Sequence, residues 1–190
     1  MNLSRISSLL FSPRAGWKAL MAERPASTRV LACVALPFAL LPPAMILLAA
    51  DGLGAAHFPA VEPALWELVA AVFLVCELLA VFLMAWAVDA AVRAHGGHSD
   101  MDGAFLVSAI APLPLWISSL GLLASSPLVA ATAALLGLAA SAVMIRHGMR
   151  AVLAAQQICP RQVSLRVIGY GTATWSALAA IVLFPIVVLA

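Results

Sequence analysis

Charge is what this sequence has least of. Only 9% of its 190 residues are Asp, Glu, Lys or Arg, against 65% hydrophobic, and the mean hydropathy is +1.10. A soluble domain carries about 25% charged residues. A chain this apolar has too little polar surface to face water all round, so lipid is the solvent for most of it. Cysteine is scarce and badly spaced for chemistry: Cys33, Cys76 and Cys159 are odd in number, far apart and outside any CxxC. That excludes a disulfide framework or a thiolate metal site and leaves small apolar packing residues. Nor is a cleavable signal peptide expected. Leu9-Leu10-Phe11 is shorter than the roughly 7–15 residues of an h-region and is cut by Pro13 and Arg14, so the first span is expected to act as its own signal anchor. No Ser-His-Asp set, GxSxG, P-loop or dinucleotide fingerprint occurs in its required context. Gly169-Tyr170-Gly171 is a lone GxG, better suited to close helix packing than to cradling a ligand. No enzyme activity, cofactor or nucleic-acid partner is therefore expected.

What remains is long apolar runs, and these predict an all-α, polytopic integral membrane protein with five transmembrane helices. Span one covers about 30–50 and contains Pro37, Pro42 and Pro43, each of which removes a backbone hydrogen bond and kinks or breaks the helix. Asp51, Gly52, Gly54, His57 and Pro59 mark a loop. Span two covers about 64–91; at 1.5 Å per residue it would measure roughly 42 Å, more than the ~30 Å of hydrocarbon, so it tilts or projects. Asp89 and Arg93, four apart, fit a helix end emerging into water. Residues 93–103 form the most polar stretch and predict a loop. Span three, about 104–124, is broken by Pro112 and Pro114. Ser125-Ser126-Pro127 makes a tight turn into span four, about 128–145, where Gly137 lets neighbouring backbones approach. Span five fills about 167–190.

Placement of the basic residues predicts orientation. With the N-terminus inside, the inner segments hold five basic residues before span one, Arg93 between spans two and three, and Arg146, Arg150, Arg161 and Arg166 between spans four and five. That is every Lys and Arg in the protein, and the outer loops hold none, which predicts a cytoplasmic N-terminus and an external C-terminus. Five of the ten, Arg5, Arg14, Lys18, Arg24 and Arg29, precede span one. Leu3, Ile6, Leu9 and Leu10 fall on one helical face, and beyond Pro13 the residues Trp17, Leu20 and Met21 repeat the pattern. Residues 1–29 are thus expected to form a cytoplasmic amphipathic segment ahead of the membrane domain at 30–190. Its two short helices either lie on the membrane surface, basic side to anionic head groups, or pack on the protein itself.

Several short motifs carry a family resemblance. Phe11-Ser12-Pro13-Arg14 followed by Trp17-Lys18, then the proline-broken Leu36-Pro37-Phe38-Ala39-Leu40-Leu41-Pro42, resembles the opening of the Yip family, the Ypt/Rab-interacting membrane proteins with a Yip1 domain. Gly96-Gly97 ahead of Ala111-Pro112-Leu113-Pro114-Leu115-Trp116 is similar to that family's middle, and Gly148 to a glycine closing its fourth span. Ile110-Ala111 stands where members often have a tyrosine, and Met149-Arg150 replaces the common Leu-Pro. The resemblance implies a five-span fold with a cytosolic N-terminus, in the short bacterial-type form, placed in a bacterial cytoplasmic (inner) membrane. Eukaryotic members act in vesicle traffic and bind Rab-type GTPases. The N-terminal segment here lacks their long cytosolic arms, so that binding is not transferred. The partners expected are the lipid bilayer and other membrane proteins or further copies of the chain, in a non-enzymatic scaffolding or membrane-organising role.

Among candidate site residues Glu77 comes first. It lies mid-way along span two, where an ionised acid costs on the order of 3 kcal/mol or more. It must turn inward, towards hydroxyls at similar depth such as Ser118, Ser141, Thr174 or Ser176. There it serves as a proton or cation relay, as a polar seat for a ligand, or as a hydrogen bond between helices worth about 0.6–2 kcal/mol. Glu67, near the outer boundary, reaches water. His95, His98, Asp100 and Asp102 form an HxxHxDxD run, with spacing able to hold a divalent metal or simply to solvate a connecting loop. The paired proline breaks at Pro37 and Pro42 and at Pro112 and Pro114 motivate an alternative function, a small transporter or channel using Glu77.

Overall fold

Five helices long and apolar enough to cross a membrane make up the computed structural model, which describes residues 13–23, 25–98, 100–154 and 159–188. A short helix, α1 (Pro13–Glu23), precedes them. The spans are α2 (Ser27–His57), α3 (Pro63–Arg93), α4 (Met101–Leu123), α5 (Pro127–Val152) and α6 (Pro160–Val188). Among the described residues there is no strand. The apolar part of the amphipathic segment before Pro13, with Leu3, Ile6, Leu9 and Leu10, lies outside the described residues.

Proline kinks two of the spans without ending them. In α2, Pro37 follows a π-helical turn over Leu31–Ala35, and a turn at Leu40 precedes Pro42 and Pro43, which open the next helical stretch. A widened turn is one way a helix absorbs a missing N–H. Two bonds carry the helix across this break: the amide of Leu40 donates to the carbonyl of Leu36, and that of Ala44 to Leu40, both at 3.2 Å. The loop expected from Asp51 starts later. Helix continues through a second π turn, Ala50–Gly54, to His57, and the indole of Trp66 covers Gly54 there, leaving no room for a Cβ.

Helix α3 runs unbroken for 31 residues and stops at a glycine. Gly96 has φ 76°, the left-handed conformation, and the Gly97 amide reaches back to Val92 while that of Gly96 reaches Arg93. This is a Schellman stop, and it explains why a glycine stands there. The polar connector is shorter than expected, since α4 begins at Met101. In α4 a turn at Ala111-Pro112 swings the chain into Leu113–Ser118 and then a 3-10 stretch, Ser119–Leu123.

Packing gives a ring of four helices, α3 to α4 to α5 to α6 and back to α3, with α2 laid against α3 and α4. Close approach of α4 and α5 requires Gly137: a Cβ there would sit 2.5 Å from Ser118 Oγ. Two apolar clusters fill the interior. The larger joins α1 to the halves of the spans nearest it; the smaller joins Ile46, Trp66, Val69, Phe73, Leu178 and Ile186 towards the other end.

The second amphipathic helix is docked on the protein. Trp17 is fully buried, Leu20 is buried with it, and α1 packs along the end of α5, with Gly148 under the Trp17 ring. Membrane-surface contact through this apolar face is therefore corrected in favour of intramolecular packing. The Cα of Gly148 supplies a gap that Trp17 fills, and lipid offers no such shape.

Candidate functional site

Glu77 lies on α3 between the two apolar clusters, one turn from Phe73 of the smaller and Val81 of the larger, and is 1% exposed. Its expected partners do not meet it. Ser118 donates to the carbonyl of Leu115 at 2.7 Å and Thr174 to that of Tyr170 at 2.9 Å, while Ser176 is exposed. Ser141 is buried, and its hydroxyl has no hydrogen bond. The group facing the Glu77 carboxyl is instead the indole N–H of Trp116, itself fully buried. The pair stands just outside hydrogen-bond geometry, since both carboxyl oxygens and the indole nitrogen lack a closed bond. Pro112 and Pro114 bring Trp116 there. The amides of Leu115 and Trp116 both donate to the Pro112 carbonyl at 2.9 Å, fixing the corner, and Pro114 sits in the first turn, where a missing N–H costs nothing. Trp116 was missed as a site residue because its ring counts as apolar; its signal is that a buried indole N–H requires an acceptor.

The four-helix ring also holds a small apolar cleft of about 30 Å³, lined by Met84, Ser108, Ser141, Gly171, Thr172 and Trp175 among others. Ser108 is bonded to the Ala104 carbonyl, so the hydroxyl of Ser141 is the polar group there with unused capacity. Of the lone GxG, Gly171 packs against Ile145 and Met84, whereas Gly169 faces open space.

The HxxHxDxD run does not converge. His95 Nδ1 lies 2.8 Å from the Ala91 carbonyl, and the Ser27 hydroxyl donates to Asp102 at 2.5 Å, tying the start of α2 to the start of α4. His98 and Asp100 are engaged in interactions of their own. Among the described residues no three His, Cys, Asp or Glu side chains gather as metal ligands. Glu67 is exposed. Asp89, expected to be wet, is buried. One carboxyl oxygen meets the exposed Arg93 at 2.5 Å, while the other has no partner.

The end of the molecule that carries α1 is basic. Docking of α1 places Arg14 beside the end of α5, and the charges acting on His147 there are Arg14, Arg150 and Arg146, all positive. Arg14, Lys18, Arg146 and Arg150 are exposed.

Set against protein families, residues 7–190 match the model of the Yip1 domain. No curated protein and no solved structure matches the chain.

Proposed function

We propose, from the premise that the chain belongs to the Yip1 domain family, that it is a non-enzymatic scaffold or organiser of a bacterial cytoplasmic membrane. Its N-terminus lies inside, its C-terminus outside, and its basic end is the working face. The observation that carries this reading is the docking of α1. Trp17 seats on Gly148 and so joins the basic residues of two distant segments into one fixed surface. A surface held this way presents charge at set positions to a partner, which a floating arm does not. The experiment is crosslinking in native lipid followed by capture of the chain. Stable protein partners that disappear on Trp17→Ala support the scaffold, and capture of nothing but lipid sinks it.

A second reading, a small transporter or channel using Glu77, is favoured by one observation: the Glu77 carboxyl and the Trp116 indole face each other in the interior with their hydrogen bond unclosed. Such a pair can exchange partners cheaply when a substrate arrives. Flux into reconstituted vesicles, wild type beside Glu77→Gln, tests it. Transport lost in a folded amide variant supports this reading, and equal flux removes Glu77 from the mechanism.

A further inference from the structure

We propose that Arg14, Arg146 and Arg150 form a binding site for the phosphate of one anionic phospholipid, whose chains lie along the outer face of α5. Three observations meet here. First, Arg146 and Arg150 are one turn apart on α5 and both exposed, and α1, packed along that end of α5 with Trp17 over Gly148, brings the exposed Arg14 to the same end; the charges of all three reach His147. Like charges held together repel, and a bound anion relieves that repulsion. Second, the arrangement is fixed rather than incidental. Trp17 is fully buried, and a Cβ on Gly148 would come within 2.9 Å of its ring, so α1 cannot slide along α5 without losing its seat. Third, the same stripe of α5 continues away from the arginines as Val143, Ala139 and Leu136, all exposed, at helical spacings of three and four. Val143 is 49% and Leu136 66% exposed.

A cationic head position over an apolar track is the shape of an anionic phospholipid and not of a free anion. The guanidinium fork suits phosphate, binding two of its oxygens at once. The depth is right too. Arg146 and Arg150 stand roughly 29 and 35 Å along α5 from Pro127 at 1.5 Å per residue, which puts them at the boundary of a ~30 Å core, where the head groups begin. Apolar contact along Leu136, Ala139 and Val143 holds the chains, and the charge selects the head group.

The inference rests on the same basic end as the scaffold reading, yet the two fail separately. The test is native mass spectrometry of the purified chain carried through phosphatidylglycerol and phosphatidylcholine mixed in equal amounts. Wild type is expected to retain one phosphatidylglycerol in preference to phosphatidylcholine. Replacing Arg146 and Arg150 by Gln should lower that preference roughly thirtyfold. Arg161→Gln with Arg166→Gln, an equal charge loss at other positions, should leave it unchanged. Equal loss in the two double variants overturns the site and leaves only diffuse charge; so does absence of preference in wild type. Displacement of the lipid by millimolar inorganic phosphate overturns the lipid as occupant. Circular dichroism on each variant removes misfolding as a cause. Partner capture on the same variants scores the scaffold independently: partners kept while lipid preference falls leave both proposals standing, and partners absent throughout sink the scaffold alone.

Discussion

Glu77 and Trp116 are each legible in the sequence, but their meeting is not. A carboxyl in an unbroken apolar run announces itself by its desolvation cost. Its partner depends on the rotation of α4 about its own axis, which the corner at Pro112 sets, and no periodicity reports that angle. The hydroxyl at Ser118 was the natural guess by depth, yet in a helix a serine or threonine hydroxyl satisfies itself on the carbonyl three or four residues back, as Ser118 and Thr174 do. Asp89 illustrates the reverse error. Its charge and its Arg93 neighbour suggest water, whereas the side chain is buried and only its arginine partner is exposed. A double-mutant cycle checks the pair directly. Glu77→Leu and Trp116→Phe should show a coupling energy of about 0.5–1.5 kcal/mol, read by unfolding in mixed micelles. Strictly additive effects would show that the two side chains do not interact. Glu77→Gln alone should insert and fold normally, since the neutral amide is nearly the same size as the carboxyl and loses no closed hydrogen bond.

Helices were easier to find than to place. Hydropathy gave each span to within a few residues of its core, because twenty-odd apolar residues in succession leave few alternatives in lipid. It misjudged the ends, where local geometry rules: α2 continues past Asp51 under the cover of Trp66, and α4 starts before Ala104. The destination of α1 was open between lipid and protein, since an amphipathic face fits either solvent until its receptor is known. Gly148 is that receptor. Trp17→Ala should free α1, lowering stability by about 3–5 kcal/mol if the cavity stays open and exposing residues 13–23 to protease while the five spans remain inserted. Protease resistance equal to wild type would deny the docking. Three turns back along the same face of α5, Gly137→Val should force α4 and α5 apart at a cost of about 1–3 kcal/mol, and Ser118→Gly should recover part of it, because Ser118 is what the new side chain strikes. Thermal unfolding in detergent, read for the single and double variants, decides this.

For the molecule as a whole, five spans force the two termini to opposite sides, and the basic residues choose which is which. Reporter fusions after Ala60, Ser126 and Ala190 should read outside, and fusions after Gly97 and Cys159 inside. A C-terminus on the same side as the N-terminus would mean that one of the five helices does not cross. The ring of α3 to α6 was not readable in advance, as four apolar helices of similar length can close in several orders, and short connections fix only which neighbours are antiparallel. Only the tight turn between α4 and α5 forced an adjacency, and the glycine at 137 marked where it is closest.

The seat of Trp17 on Gly148 also imposes a timetable. The two residues are made roughly 130 positions apart, and at about 5–20 residues per second the ribosome needs on the order of ten seconds to travel between them. Through that interval the indole has no receptor on the chain. Seating α1 is therefore a late event of biogenesis, completed only after the fourth span has entered the bilayer, and the arginine cluster does not exist until then.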